Sequence, residues 1–230
     1  MVRAWIADVK PLLEETCYRE YYEGVPQFRK DKADALRNMK TKAQSIGAWS
    51  LWEKIRAEYC LPESSLFNIS HSDTYVMCAV HFDLKNSEET QKTQQECPHQ
   101  KEYVHQLGCD LEQISDLRLN IAKRFFCEEE YETILSGENE REQTERFYRY
   151  WVLKESFMKA TREGMALPLD SFCIKLGNKP GDPSVLIRQP EKYPLSYYYR
   201  EYFVEGIPCR MAVCSTDREI DSEIHMELSL

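Results

Sequence analysis

The chain has 230 residues, 42% hydrophobic and 30% charged, with 30 Lys+Arg against 39 Asp+Glu and a formal net charge of −9. That balance fits a folded chain of one large or two small domains and excludes a disordered one. The acidic excess argues against a general nucleic-acid binder, which needs basic charge to displace counterions, and no apolar run approaches the roughly 20 residues of a membrane helix. Residues 1–10 read as a short strand that exits at Pro11, and Asp8 comes too soon for a secretory leader.

Residues 25–58 read as helix, starting after Pro26 and ending in Trp49, Leu51, Trp52 and Ile55 at the spacing of one apolar face. Their basic set, Arg29, Lys30, Lys32, Arg37, Lys40 and Lys42, reverses the sign of the chain locally. It is a solvated helix face or an anion site, and pattern alone favours the solvated face. Phe67-Asn68-Ile69-Ser70-His71-Ser72 follows, then an apolar strand over 74–82. The polar stretch 85–106 reads as a surface insertion or mobile loop between two strands. A second short strand over 106–111 delivers Asp110 and Glu112. Helices are predicted over 121–135 and 138–162, with Gly164 as a left-handed cap just past the second. Strands are predicted over 171–176, 185–189, 197–205 and 210–215, with a turn at 177–183 and an acidic, loosely held tail from Thr216.

The cysteines, at 17, 60, 78, 97, 109, 127, 173, 209 and 214, are scattered, and no pair has CxxC spacing. A zinc site therefore has little support, and reduced thiols used as small core residues are expected. One internal echo appears: Met77-Cys78-Ala79-Val80 resembles Met211-Ala212-Val213-Cys214. It fits two similar α+β halves joined near Leu107.

Three constellations could do chemistry. In Gly108-Cys109-Asp110-Leu111-Glu112, a strand would put both carboxylates on one face. Side by side they repel, so one holds a proton or both share a cation such as Mg²⁺. Spacing alone favours an exposed strand end with solvated acids. In residues 151–159, Trp151, Glu155 and Lys159 share one helix face. They form either an ordinary Glu–Lys pair worth about 0.2–0.5 kcal/mol or a third metal oxygen beside a phosphate-holding ammonium. In Phe67–Ser72, Ser70 and Ser72 offer hydroxyls and His71 a ring N–H, although a lone His near a strand start is more often structural.

Taken in order, Phe67–Ser72, residues 108–112, Arg124-Phe125-Phe126 with Glu130-Tyr131, and residues 151–159 with 167–172 resemble the Sfp-type 4'-phosphopantetheinyl transferases. Each motif is weak alone, and four in order over 67–215 make a strong match; the first third resembles the family more loosely. The resemblance implies an α+β fold of two similar halves, 1–106 and 107–230, with a polar insertion near 85–106 and the active site in the cleft between them. It implies Mg²⁺-dependent transfer, with Mn²⁺ as the alternative ion, of the phosphopantetheine arm of coenzyme A to a serine of an apo carrier protein (acyl, peptidyl or aryl). Adenosine 3',5'-bisphosphate is the other product. The metal carboxylates match Asp110, Glu112 and Glu155. The catalytic set is Glu155 as proton acceptor with Lys159 and His71 countering phosphate charge. Arg29, Lys32, Lys42, Ser70, His71, Lys154 and Lys159 are expected to bind coenzyme A, and Glu130 to be an accessory acid. Arg118, Lys123 and Arg124 form the expected carrier-binding surface; packing of a loop and helix on the sheet explains that stretch equally well. A cytoplasmic monomer without nucleic-acid or membrane partners is expected.

The chain departs from the family pattern in three places: the usual Gly-Lys-Pro before the Asn-x-Ser-His-Ser motif is replaced by residues 59–65, which hold no Gly or Lys; the arginine the family often carries before the first-helix glycine falls near Ala43 and Gln44, with Lys42 adjacent; and the stretch 85–106 is longer than the resemblance leads one to expect. Two other readings stay open. One is a degenerate member that binds coenzyme A or a carrier without transfer. The other is a metal-dependent phosphoester hydrolase using the same carboxylates on water.

Overall fold

The computed structural model describes residues 1–82, 105–179 and 182–227. Of the expected polar insertion, only His105 and Gln106 fall within them. The elements run β1 (Val2–Asp8), α1 (Glu15–Gly24), α2 (Gln27–Asp34), α3 (Met39–Glu58), β2 (Phe67–Ser72), β3 (Tyr75–His81), β4 (Leu107–Gln113), α4 (Leu119–Phe125), α5 (Glu128–Leu135) and α6 (Glu140–Thr161). Five strands follow: β5 (Cys173–Lys175), β6 (Val185–Arg188), β7 (Tyr198–Tyr202), β8 (Cys209–Ser215) and β9 (Ile220–Glu227).

Strand alternation sets the layers. On β1, Trp5 and Ala7 pack with Ile46, Leu51, Trp52 and Ile55 of α3. Val2, Ala4 and Ile6 point the other way and meet Cys109, Leu111, Met211 and Val213 of the second sheet. The alternate residues of that sheet, Ala212 and Cys214, pack with Val152, Leu153 and Phe157 of α6. The order is therefore α3, first sheet, second sheet, α6. The first sheet runs β2-β3-β1-β9 and the second β4-β8-β7. The two echo segments are corresponding inner strands: β3 lies between β2 and β1, and β8 between β4 and β7. The fold is α+β, as the sequence implied.

Several elements differ from expectation. The helix predicted over 25–58 is broken at 35–38, because Asn38 caps a new helix: its Oδ1 accepts from Thr41 N at 3.0 Å. The helix predicted over 121–135 breaks at Phe126, where the carboxylate of Glu130 turns back to accept from Cys127 N at 3.0 Å and starts α5. At the end of α6, Arg162 (φ 60°) takes the left-handed position, and Gly164 (φ 54°) takes another two residues on. The tail is not loose: β9 pairs parallel with β1, and Ile220 and Ile224 pack on the core between the sheets. Its acidic composition hid two apolar residues at the spacing of one strand face.

Candidate active site

Gly108, Asp110 and Glu112 occupy alternate positions on β4, so all three face α6. Gly108 fixes the distance. A Cβ there would sit 2.1 Å from Ser156 O and 2.4 Å from Ala160 N, so only glycine lets the strand lie directly on the helix backbone. Two residues on, that contact delivers Asp110 to Lys159. The lysine Nζ donates to Asp110 Oδ1 at 2.7 Å and to Ser70 Oγ at 2.8 Å, while Ser70 Oγ donates to the same Oδ1 at 2.9 Å.

The other wall comes from β2. Asn68 Oδ1 accepts from Cys109 N at 2.9 Å, Ser70 Oγ from Leu111 N at 3.3 Å, and Ser72 Oγ from Gln113 N at 3.0 Å. Alternate side chains of one edge strand thus satisfy alternate amides of the other, in place of a backbone ladder. This stitch explains why Asn, Ser and Ser recur every second residue in the segment. Ile69 points away into the α3 core, as Phe67 does.

Electrostatics mark the node as incomplete. Asp110 is 5% exposed, and its Oδ2 is buried with no hydrogen-bond partner. Burial first, then the Asp110 charge, hold Glu112 above the usual carboxylate range. The same causes, in the same order, raise Glu155, with Glu112 adding to them. Burial pulls Lys159 down, but Asp110, Cys109 and Glu155 outweigh it and hold the ammonium above its ordinary value. His71 is open to solvent at its surface, yet the protein packed around it, then Lys159 and Lys32, push its ring below the ordinary histidine value.

Such an arrangement fits a hard divalent cation: an unpaired buried carboxylate oxygen with two strained carboxylates around it is a donor set short of positive charge. Asp110, Glu112 and Glu155 are not, however, among the groups whose ligand atoms all lie within 4.8 Å of one another. Three anions repel, and Lys159 is hydrogen-bonded to Asp110 among them. Two tighter groups lie elsewhere: His81 with His105 and Asp217, and Cys127 with Glu129 and Cys173. The second brings together two thiols that sequence spacing kept apart.

The remaining expected site residues divide. Lys32 on α2 is close enough to act on the charge of His71. Arg29 lies over the Trp49 ring, 4.2 Å from its centroid. Lys42 is half-buried near the start of α3. Arg118, Lys123 and Arg124 are exposed. Arg118 borders an open cavity of about 660 Å³ between the start of α4 and the start of α6.

Lys154 and Glu130 leave the site altogether. Both are 0% exposed, and they pair at 2.8 Å inside the second half. Lys154 also donates to Leu169 O at 2.7 Å and Phe172 O at 2.9 Å, which leaves its ammonium nothing to offer coenzyme A. The helical register explains the difference: Lys154 is one residue before Glu155, about 100° round the helix, and faces the core. Sequence reading missed Gly108 as a contact residue and the hydrogen bonds between the two edge strands. The period of two in Asn68, Ser70 and Ser72 was the available signal.

Residues 106–211 match the family model of the 4'-phosphopantetheinyl transferase superfamily. The chain is 34% identical over 169 residues to the 4'-phosphopantetheinyl transferase Sfp of Bacillus subtilis (strain 168), covering 73% of this chain and 63% of that protein. It is 34% identical over 143 residues to the 4'-phosphopantetheinyl transferase gsp of Aneurinibacillus migulanus, covering 62% of this chain and 49% of that one. With the 4'-phosphopantetheinyl transferase HetI of Nostoc sp. (strain PCC 7120) it shares 37% identity over 128 residues, 54% of this chain and 43% of that one. The chain is thus a relative of the Sfp-type 4'-phosphopantetheinyl transferases, the family its motifs resemble, and spans less than two thirds of each of these three.

Proposed function

We propose that this chain transfers the 4'-phosphopantetheine arm of coenzyme A to a serine hydroxyl of an apo carrier protein, acyl, peptidyl or aryl, and releases adenosine 3',5'-bisphosphate. The observation that carries the reading is the node of Ser70, Asp110 and Lys159, whose buried Asp110 Oδ2 lacks a partner between Glu112 and Glu155. Asp110, Glu112 and Glu155 would hold Mg²⁺, or Mn²⁺ as the alternative octahedral oxygen-binding ion. When bound, that ion supplies neutralising charge to the diphosphate.

The residues of the chain do the rest. Lys159 donates to a phosphate oxygen as a compact positive charge, a role its raised value protects across neutral pH. His71, held below its ordinary value, is a neutral N–H donor at pH 7. Glu155 accepts the serine proton as the serine oxygen attacks phosphorus, since a carboxylate beside the line of attack can act as general base. The leaving adenosine bisphosphate departs with the electrons of the broken phosphate bond. Catalysis of this kind rests on positioning and charge more than on covalent chemistry.

The two halves, 1–106 and 107–230, would divide the task. The first contributes the nucleotide and phosphate contacts, and the second the carboxylates and the carrier-facing surface of Arg118, Lys123 and Arg124. Carriers of this kind are generally acidic, so a local basic patch is needed on an acidic chain. Among the described residues no helix is long and apolar enough to cross a membrane, and we place the enzyme in the cytoplasm as a monomer.

Mass spectrometry of an apo carrier incubated with the chain, coenzyme A and Mg²⁺ tests this directly. A gain of one phosphopantetheine on the carrier serine is the expected result. Free phosphopantetheine with an unmodified carrier would establish hydrolysis instead. Coenzyme A binding with no product would leave a binder.

A further inference from the structure

Away from the carboxylate node, the second half gathers two thiols and a carboxylate that sequence spacing keeps apart. Cys127 stands just before α5, and Cys173 opens β5. The two residues are only 3% and 1% exposed. With Glu129 of α5, their ligand atoms all lie within 4.8 Å of one another, and Cys173 Sγ is 3.9 Å from Glu129 Oε2. Around a tetrahedral Zn²⁺, with metal–sulfur bonds of about 2.3 Å and metal–oxygen bonds of about 2.1 Å, sulfur and oxygen stand about 3.6 Å apart. Thiol and carboxylate therefore need little movement to share one ion.

The surroundings suit ionised sulfur. Arg188 Nη2 donates to Cys127 Sγ at 3.1 Å, and Arg188 Nη1 lies 3.9 Å from Glu129 Oε1, so one guanidinium brackets two of the three groups. A donor held on a ligating sulfur orients it and spreads its charge. Cys127 Sγ donates to Phe172 O at 2.9 Å and reaches Asp170 O at 3.7 Å. The Phe172 carbonyl also accepts from Lys154 Nζ, so it keeps a donor when the thiol gives up its proton. Charge balances as well. Two thiol protons leave to solvent as one divalent ion enters, and the cluster keeps its net charge, with Glu129 set against Arg188. The side chains of Glu129 and Arg188 are 61% and 53% exposed, so an ion can enter from solvent and solvent can supply a fourth ligand. Two sulfurs and one oxygen select a thiophilic ion and reject Mg²⁺, which takes oxygen alone.

We infer that Cys127, Glu129 and Cys173 form a binding site for a thiophilic divalent ion of the Zn²⁺ class, separate from the carboxylate node. The bound ion ties the start of α5 to β5 and braces the second half around Lys154 and Glu130. Glu130 already joins the same two elements by accepting from Cys127 N and Ile174 N. The binding energy of a structural metal adds to folding energy, so the ion stabilises the fold. None of this depends on the coenzyme A reading.

The test uses the full chain, reduced, stripped of other metals and held in excess Mg²⁺, titrated with Co²⁺ and then Zn²⁺. Co²⁺ should give the sulfur-to-metal charge-transfer absorption of a tetrahedral thiolate site, and a single equivalent of Zn²⁺ should bleach it. Cys127→Ser and Cys173→Ser should each lose the absorption. Cys60→Ser, which removes an exposed thiol elsewhere, should keep it. Serine is a preferred helix cap, so Cys127→Ser should leave α5 in place, as circular dichroism would check. Glu129→Gln changes an exposed side chain and should weaken Zn²⁺ binding in a protein that still folds. Zn²⁺ should also raise the melting temperature of the parent and not that of Cys173→Ser. One measurement needs no variant: Zn²⁺ should slow hydrogen exchange at the start of α5 and in β5. Co²⁺ absorption without a charge-transfer band would mean an ion held by oxygen alone, and would overturn the site. So would a band that survives both cysteine substitutions, or exchange at α5 and β5 unchanged by Zn²⁺.

Discussion

Helix α6 carries two lysines five residues apart, and each meets an acid, but the two pairs are built to opposite standards. Lys154 is sealed with Glu130 at 0% exposure; its ammonium also bonds two carbonyls, and Glu130 accepts from Cys127 N and Ile174 N. The Phe172 ring lies 4.2 Å from the same ammonium. Lys159 reaches a side-chain exposure of 29% and meets an aspartate with one oxygen satisfied twice and the other not at all. A saturated buried pair is a strut, since nothing remains with which to bind a ligand. An unsaturated one at a cleft is a site, because a buried oxygen without a partner costs about 1–3 kcal/mol that a ligand can recover. Number and geometry of unfilled bonds, more than burial or charge, separate structure from function along this one helix.

Lys154→Ala leaves the Glu130 carboxylate buried and unpaired, which typically costs about 3–5 kcal/mol. Urea denaturation should show that loss as a lower midpoint at an unchanged slope. A stable Lys154→Ala protein with impaired coenzyme A binding would return that lysine to the substrate. Asp110→Asn is the counterpart at the site. It keeps the shape and removes the charge, and should lower turnover about 10²–10³-fold, the scale of one lost electrostatic contact to a transition state. The same substitution should abolish the rise in melting temperature that Mg²⁺ gives the parent, about 2.7 kcal/mol at a hundredfold excess over Kd. Full activity or an intact Mg²⁺ shift would remove Asp110 from the metal set.

Gly108→Ala sharpens the contrast by separating placement from chemistry. The added methyl would meet backbone, not a movable side chain, so β4 must lift from α6. Overpacking of this kind costs about 1–3 kcal/mol. Turnover should fall with it, because Asp110 and Lys159 are held together by that approach, while the Lys154–Glu130 strut on the far face of α6 should survive. Hydrogen exchange would show the difference: amides of β4 lose protection, and those of α5 keep theirs.

How much of this was legible beforehand follows from which contacts are local. The carboxylate pair on β4 and the Glu155–Lys159 face of α6 could be read from periods of two and four residues, since each lies within a single element. The recurrence of Asn68, Ser70 and Ser72 was visible too, but its purpose was not: the amides it serves lie on a strand 41 residues away. Lys154 was misplaced because the sequence gives each residue of a helix an angle but does not say which direction holds the core. Strand β9 was invisible as structure because its parallel pairing with β1 joins segments far apart in sequence, and its two packed isoleucines, Ile220 and Ile224, carry little pattern alone. Gly108 was noticed within a motif, and its steric role appears only once α6 lies against it.

The smallest effect expected is a shift in pH dependence, and it probes the unsaturated pair most directly. If Glu155 accepts the serine proton, it must be ionised to work, so the rate should fall as pH drops through its value in the fold. Burial, Asp110 and Glu112 raise that value, and Lys159 alone among its named neighbours lowers it. In the metal-free protein the titration of the Glu155 carboxyl, followed by NMR of carboxyl-labelled glutamate, should therefore lie above the range of an ordinary exposed glutamate. Lys159→Met removes the one lowering influence, so that titration should move further toward neutral pH, and Mg²⁺ held by Glu155 should pull it back down. The stability of the metal-free protein should change with the opposite sense. Glu112 and Glu155 bind protons more readily folded than unfolded, so their contribution is present at acid pH and is lost as pH rises through their raised values. A metal-free Glu155 titration that does not move in Lys159→Met would show that the lysine does not act on this carboxylate and serves the phosphate alone.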